Sequence, residues 1–168
     1  MTIEDVAARA GVGKSSIYRR WPTKGTLALD AFLMDFLTQQ PPVDTGVLED
    51  DLREALTLWS NTVVGTPIGR ALVGLITEAQ IDRELAQMWK ERVLMPVREQ
   101  HRTMVDRAIL RGEIPASTDV DVIMDLLYGA AYHRLLQGHL AITPSFIELV
   151  ARTVAAGAAS GAAVVTTN

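Results

Sequence analysis

The sequence contains no cysteine, which excludes disulfide bonds, thiolate metal sites and cysteine nucleophiles together. It has only three histidines, His101, His133 and His139, and none is paired with an acid at metal-ligand spacing. If one helix carries the last two, their spacing of six residues puts them on opposite sides of it. We expect no metal and no cofactor. Since no nucleophile, base and orienting group can be named together, we predict that the protein is not an enzyme.

Long hydrophobic runs are also missing. The uncharged tail, residues 153–168, is shorter than the roughly 20 apolar residues that a membrane span needs. Met1 leads directly into a charged helix instead of a signal peptide. We therefore expect no membrane partner and a cytoplasmic location.

Runs of alternating β-branched residues are absent, and apolar residues recur at helical spacing almost throughout. The composition, 48% hydrophobic and 21% charged, is that of a packed protein and not of a disordered one. These patterns predict an all-α fold.

The front of the chain carries a net positive charge, and the rest carries a net negative one. Residues 1–24 hold five basic and two acidic residues, a net charge of +3, whereas the whole chain carries −4. The remainder therefore carries −7. An acidic protein with one small basic head, here residues 1–24, is typical of a DNA-binding protein that contacts nucleic acid only through that head.

Residues 2–24 predict a helix, a tight turn and a second helix. Thr2 can cap the first helix in a capping box with the acid three residues later. Gly11 ends that helix, because glycine turns at positive φ without a steric penalty. Gly13 is the N-cap of the next helix, although it has no side chain to accept a capping hydrogen bond, and Pro22 ends that helix.

The second helix, residues 14–21, has two distinct faces. At about 100° per residue, Ile17 and Trp21 share an inward face. Their expected packing partners are Val6, Ala10 and Val12. The opposite face is rich in hydrogen-bond donors, which suits the major groove of DNA.

The candidate DNA-binding residues lie on this outward face, on its two flanks or at the start of a helix. They are Thr2, Lys14, Ser15, Ser16, Tyr18, Arg19, Arg20 and Lys24. Arg19, Ser15 and Ser16 are candidates for base-edge contact, and Lys14 for a phosphate or a guanine. The alternative is a solvated charged helix face, and for Arg20 that alternative is equally good.

The stretch TIEDVAARAGVGKSSIYRRWPTKGTLALDAF resembles the helix-turn-helix and following helix of the tetracycline-repressor (TetR) family of bacterial transcription regulators. The matching features are A-x-x-A-G-V, then K-x-[ST]-[LI]-Y-x-x-[FWH], then a lysine that opens the next helix. The resemblance implies a ligand-responsive regulator, a repressor more often than not, in which Tyr18 and Lys24 hold phosphates. Residues 82–138 are similar, more weakly, to one C-terminal subgroup of the family.

The sequence departs from the family at its start, because TetR-like heads begin with another helix before the one at Thr2. We expect that the sequence omits the front of the protein. Without that helix Ile3, Val6, Leu27 and Ala31 would lack a packing partner. The alternative is a truncated helical dimer that binds small molecules or sister subunits but no DNA.

We divide the chain into a head with its connecting helix, residues 1–40, and a helical effector-binding and dimerisation domain, residues 41–168. The connecting helix should run over 23–40, with Leu27, Ala31, Phe32, Leu33, Phe36 and Leu37 on its apolar face. Further helices are expected over 50–64, 67–80, 82–111 with a break at Pro96, 119–140 with caps at Ser117 and Thr118, and 144–160.

The last two helices, 119–140 and 144–160, are rich in small and apolar residues, which let helices approach closely. As in the family, two such helices from each subunit would form a four-helix homodimer interface. The alternative is an ordinary pair within one chain. A dimer would also bind a near-palindromic operator, because one short helix alone reads too few base pairs.

By the same resemblance, a cavity for a small-molecule effector lies within the second domain. The candidate lining residues are Trp59, Met88, Trp89, Met95, His101, Met104, Tyr128, Tyr132 and His133. Methionine and aromatic walls suit an apolar or aromatic effector. For each residue singly, an ordinary core position is the alternative.

Overall fold

The computed structural model describes residues 2–36 and 39–164, and within them it contains α-helices and no β-strand. The helices are α1 Ile3–Ala10, α2 Lys14–Arg20, α3 Lys24–Phe36, α4 Leu48–Val63, α5 Pro67–Ala79, α6 Arg83–Trp89, α7 Met95–Leu110, α8 Val120–Gln137 and α9 Pro144–Ala159. A π-helical turn, Lys90–Leu94, joins α6 to α7. No helix in this part of the chain is long and apolar enough to cross a membrane.

The head begins with the predicted helix-turn-helix. Thr2 Oγ1 accepts the Asp5 N–H at 3.1 Å, and Asp5 Oδ2 accepts the Thr2 N–H at 2.7 Å, which completes a capping box. Gly11 ends α1 at φ 66°, a conformation that favours glycine. Gly13 caps α2 without a side-chain hydrogen bond. Local sequence signals therefore place both helices correctly.

The head has a small core of its own, made of Ile3, Ala7 and Ile17. Trp21 packs against it half-buried, as do Val6 and Leu27. Ile17 and Trp21 thus face inward as predicted. The expectation that Ile3 lacks cover is wrong.

Ala10 and Val12 were expected to face this core, and they are exposed instead. Because α2 has seven residues, it is only about 10 Å long. Its two inward side chains cover the Ile3–Ala7 part of α1 and leave the last turn open. The predicted partners at the end of α1 were therefore wrong.

Helix α3 starts at Lys24, where the Thr23 hydroxyl accepts the Thr26 N–H at 3.1 Å. It ends at Phe36 and not at residue 40, since Gln40 lies outside the helix with its side-chain amide donating to Thr62 Oγ1. Leu37 lies outside the described residues.

The apolar face of α3 is rotated from the one predicted. Leu29, Phe32 and Phe36 are buried in the main core, whereas Ala31 is exposed. Leu29 was not among the predicted inward residues, although it lies one turn before Phe32. Through this face α3 attaches the head to the second domain, residues 41–168, which forms the body of the protein.

The predicted long helix with an irregularity at Pro96 is present. The π-helical turn lies directly before α7, and the Met95 N–H reaches the carbonyl of Lys90, five residues back. Proline has no N–H and clashes with the carbonyl four residues earlier, so a widened turn accommodates it.

Helix α8 differs from prediction at both ends. Its N-cap is Asp119 and not Ser117 or Thr118. The Asp119 side chain accepts hydrogen bonds from the backbone N–H groups of Asp121 and Val122. Gly138 ends the helix at φ 63°, so α8 stops at Gln137. Because the chain reverses there, the rings of His133 and His139 lie 4.9 Å apart, and their predicted placement on opposite sides of one helix is wrong.

The body has one core, in which α4 packs most extensively against α9 and α8 packs alongside. Leu127 and Ala131 of α8 and Ala151 and Ala158 of α9 are buried in this core. These small and apolar residues therefore serve packing within one chain. Leu126 and Leu149 remain exposed on the outer face of the same helices.

Candidate nucleic-acid interface and cavity

The outward face of α2 is open. Ser15, Ser16, Arg19 and Arg20 are all exposed, and Lys14 opens the helix beside them. Across residues 2–36 and 39–164, Arg19 has no ion pair and no hydrogen-bond partner for its guanidinium. The face therefore presents hydroxyl and guanidinium donors, the groups that read base edges in a major groove.

Glu4 of α1 lies beside this face. The Tyr18 hydroxyl donates to Glu4 Oε1 at 3.2 Å, and Lys14 Nζ lies 3.8 Å from the same oxygen. The negative charge of Glu4 raises the pKa of Tyr18. Exposed contacts of this kind contribute little in water, so a phosphate can replace the carboxylate at low cost.

The remaining candidates lie at the edges of the same face. The Arg20 guanidinium lies 5.0 Å from the centre of the Trp21 ring, and Lys24 is exposed at the start of α3. Thr2 is exposed, but its hydroxyl is occupied as the cap of α1. All eight candidate side chains are thus exposed.

Asp30 of α3 supports the end of α2, a contact that sequence reasoning missed. Its Oδ2 accepts the Trp21 indole N–H at 2.8 Å, and its Oδ1 lies 2.6 Å from Nη2 of Arg92 in the π-helical turn. Burial disfavours ionisation, but the Trp21 hydrogen bond and Arg92 outweigh it and lower the pKa of Asp30. The carboxylate therefore stays charged and ties the head to the body.

A cavity of about 340 Å³ lies between α3, α4, the α6–α7 run and α8. Its walls are largely apolar and aromatic, and the residues that line it are Phe36, Trp59, Trp89, Val93, Leu94, Val97, Arg98, His101, Met124, Asp125, Tyr128, Gly129 and Tyr132. The structure thus brings together five of the candidate lining residues: Trp59, Trp89, His101, Tyr128 and Tyr132.

The other four predicted lining residues lie elsewhere. Met104 is buried in the core, and Met88 packs half-buried against it. Met95 and His133 are exposed. Each of the four lies on a helix that reaches the cavity, but its side chain is on a face of that helix that points away from the cavity. Which face of a helix points toward the cavity depends on helix packing, which the sequence pattern does not specify.

His101 and Tyr128 form a hydrogen-bonded pair in the cavity wall. His101 Nδ1 lies 2.6 Å from the Val97 carbonyl, which can only accept, so this nitrogen carries the proton. Burial lowers the pKa of His101, which leaves Nε2 as an acceptor for the Tyr128 hydroxyl at 2.8 Å. Burial also raises the pKa of Tyr128. Both side chains are therefore neutral.

Comparison with known proteins identifies the family. Residues 42–154 match the tetracyclin repressor-like C-terminal domain, and residues 1–31 match the bacterial regulatory proteins of the tetR family. The chain belongs to the TetR family. It is a DNA-binding transcriptional regulator and not an enzyme.

Similar proteins include the uncharacterised HTH-type transcriptional regulator YdeS of Bacillus subtilis, 31% identical over 136 residues, which are 81% of this chain and 68% of YdeS. AqdR of Rhodococcus erythropolis is 31% identical over 76% of this chain and 61% of its own length. The DNA-binding transcriptional repressor TetR of Mycobacteroides abscessus is 29% identical over 82% and 72%. The chain thus spans about two thirds of the length of these regulators.

Among solved structures, the TetR family transcription regulator SCO0332 superimposes with a TM-score of 0.82 at 33% sequence identity. The match covers 93% of this chain and 86% of SCO0332. The all-α architecture with a helix-turn-helix head is therefore the TetR fold.

Sequence reasoning also missed a cluster of charges in the cavity wall of this TetR-family regulator. Arg98 Nη1 lies 2.7 Å from Asp125 Oδ1, and Arg98 Nη2 lies 2.7 Å from Asp121 Oδ1. Arg102 adds a contact to Asp121 at 3.3 Å. Two arginines four residues apart and two aspartates four residues apart each share one helix face, and that signal was available in the sequence.

Proposed function

We propose that this chain is a repressor that binds a near-palindromic operator as a homodimer and leaves it when a small-molecule effector binds the body. The observation that carries the proposal is the exposed donor face of α2, with Arg19 unpaired among the described residues. The repressor role is supported by the similarity to the DNA-binding transcriptional repressor TetR of Mycobacteroides abscessus. We place this activity in the cytoplasm, with the chromosome.

In the proposed complex, α2 of each subunit lies in a major groove. Arg19, Ser15 and Ser16 contact base edges, while Lys14, Tyr18 and Lys24 hold phosphates. The two recognition helices of a dimer would lie about one helical turn of DNA apart, ~34–36 Å.

The outer face of α8 and α9 supports the homodimer. It carries an apolar groove of about 410 Å³ whose rim includes Leu126, 54% exposed, and Leu149, 52% exposed. Ala130 and Gly157 in the groove leave room for close helix approach. A contiguous exposed apolar surface of this kind is typical of a protein interface.

The π-helical turn supports a route from effector to DNA. Val93 and Leu94 of this turn line the cavity, whereas Arg92 pairs with Asp30, which in turn holds Trp21 at the end of α2. An effector that displaces the turn would change the support of the recognition helix. Coupling of roughly 1–3 kcal/mol would lower operator affinity about 5- to 150-fold.

The test is selection of bound sequences from random duplex DNA with the complete protein, followed by binding to the selected site over a range of salt concentrations. We expect a near-palindromic consensus and an affinity that falls steeply with salt, since phosphate contacts release counterions. An absence of enrichment, or a flat salt dependence, would overturn the proposal.

A further inference from the structure

We propose that the cavity binds a neutral aromatic molecule, and that the Arg98–Asp125 pair in its wall excludes ligands of either charge. The inference rests on the proposed ligand response and adds the chemical class of the ligand. It follows from three properties of the cavity: its aromatic walls, its uncharged interior and the complete internal pairing of the charges at its edge.

Aromatic rings form much of the wall. Trp59 packs against Tyr128 and Tyr132 with ring centres 6.1 and 5.1 Å apart, and Trp89 contributes a further indole. Offset and edge-on packing of rings at such distances is favourable, and a flat aromatic ligand extends the same arrangement. A volume of about 340 Å³ has room for a molecule of two or three rings.

The interior side chains carry no charge. His101 is held neutral by burial, with its Nδ1 proton donated to the Val97 carbonyl and its Nε2 accepting from Tyr128. Burial also keeps the hydroxyls of Tyr128 and Tyr132 protonated by raising the pKa of each. An ionised ligand group placed among them would lose its hydration without meeting an opposite charge.

The two charged lining residues neutralise each other. Arg98 is held by Asp125 on one nitrogen and by Asp121 on the other, and Arg102 balances the second aspartate. A carboxylate ligand would have to displace aspartates from Arg98, and an ammonium ligand would have to displace Arg98 from Asp125. A neutral ligand leaves all these pairs intact.

The experiment uses three naphthalene probes of similar size, 2-naphthol, 2-naphthoate and 2-(aminomethyl)naphthalene, which are neutral, anionic and cationic at neutral pH. Binding to the whole protein is measured by calorimetry. We expect 2-naphthol to bind about tenfold or more tightly than either ion, because each ion must be desolvated and must break an existing pair.

Two variants test the role of the pair. Asp125→Asn frees one side of Arg98 and should strengthen 2-naphthoate binding about 3- to 10-fold, while Arg98→Gln should favour the amine by a similar factor. The Asp125 side chain is 71% exposed, so its substitution leaves the fold intact even if Arg98→Gln does not. Asp106→Asn, an exposed carboxylate of α7 away from the cavity, is the matched control and should change nothing.

The proposal is overturned if no probe binds, if either ion binds the unmodified protein as tightly as 2-naphthol, or if Asp125→Asn leaves the anion affinity unchanged. Operator binding of the ligand-free protein is measured on the same preparation. Its loss would refute the regulator proposal, whereas intact operator binding with the wrong probe order would refute only the ligand class.

Discussion

The Trp21 indole N–H donates to the Asp30 carboxylate across 2.8 Å, from the end of the recognition helix to the middle of α3. The same carboxylate faces Arg92, 62 residues further along the chain, at 2.6 Å. A single side chain thus contacts both the end of α2 and the π-helical turn beside the cavity. The position of α2 therefore depends on a residue outside the helix-turn-helix.

Replacing Asp30 tests this dependence. Asp30→Ala leaves the half-buried indole N–H without its acceptor and should lower the free energy of unfolding by about 1–2 kcal/mol. Asp30→Asn keeps an acceptor for Trp21 and should cost less. Urea unfolding measures both, with Asp106→Ala as the control; equal losses in the two Asp30 variants would contradict the assignment.

Acid should destabilise the protein through His101. Its pKa is lowered in the folded state by burial, so below the ordinary value of about 6.5 the unfolded chain binds a proton that the folded chain does not. Stability should therefore fall as the pH drops from about 7 to 5, with a slope of up to about 1.4 kcal/mol per pH unit from this group. His101→Gln should flatten the slope that urea unfolding measures over this pH range.

Arg19 and Lys24 should affect DNA binding differently. Arg19→Ala should change base preference at one position of the site, at a cost of about 1–3 kcal/mol for the preferred base. Lys24→Ala should weaken all sequences alike and make the salt dependence shallower. Fluorescence anisotropy on single-base variants of the selected site measures both, with Arg70→Ala on the body as control. The opposite pattern would reverse the two roles.

The proposed homodimer depends on the outer face of α8 and α9. Leu126→Glu places a charge in the apolar groove and should yield monomers in analytical ultracentrifugation, because burying an unpaired carboxylate is costly. Operator affinity should fall with it. Leu110→Glu alters a leucine at the end of α7 that is even more exposed, at 85%, and should stay dimeric. A dimeric Leu126→Glu protein would place the interface elsewhere.

Gly69 is needed where α5 crosses the end of α4. A Cβ at this position would lie 1.7 Å from the carbonyl oxygen of Val63, which belongs to the backbone and cannot yield easily. Gly69→Ala should therefore destabilise the fold by about 1–3 kcal/mol or more. Gly74→Ala in the same helix meets nothing within 4 Å and should stabilise it by up to about 1 kcal/mol. Thermal unfolding of the two variants compares them directly.

The sequence predicted the features that depend on residues close together in the chain. The capping box at Thr2, the turn at Gly11, the inward face of Ile17 and Trp21 and the irregularity before Pro96 are all present. Each follows from the chemistry of a few consecutive residues. The end of α8 at Gly138 was available from the same kind of signal and was missed.

Five of the nine predicted cavity residues line the cavity, and the errors have one physical cause. Met88, Met95, Met104 and His133 lie on helices that reach the cavity but face other neighbours. A helix pattern shows which side is apolar, but the rotation of one helix against another is set by packing in three dimensions. The pairing of Arg98 with Asp125 depends on that rotation.

By itself the amino-acid sequence determined that this chain is helical, that its front end is a basic helix-turn-helix and which side chains the second helix of that element turns outward, because short-range sterics and capping decide those features. Only the tertiary structure decided the cavity wall and the contacts of Asp30 with Trp21 and Arg92. Those contacts join residues far apart in the chain, and their geometry arises from how whole helices pack around a common core.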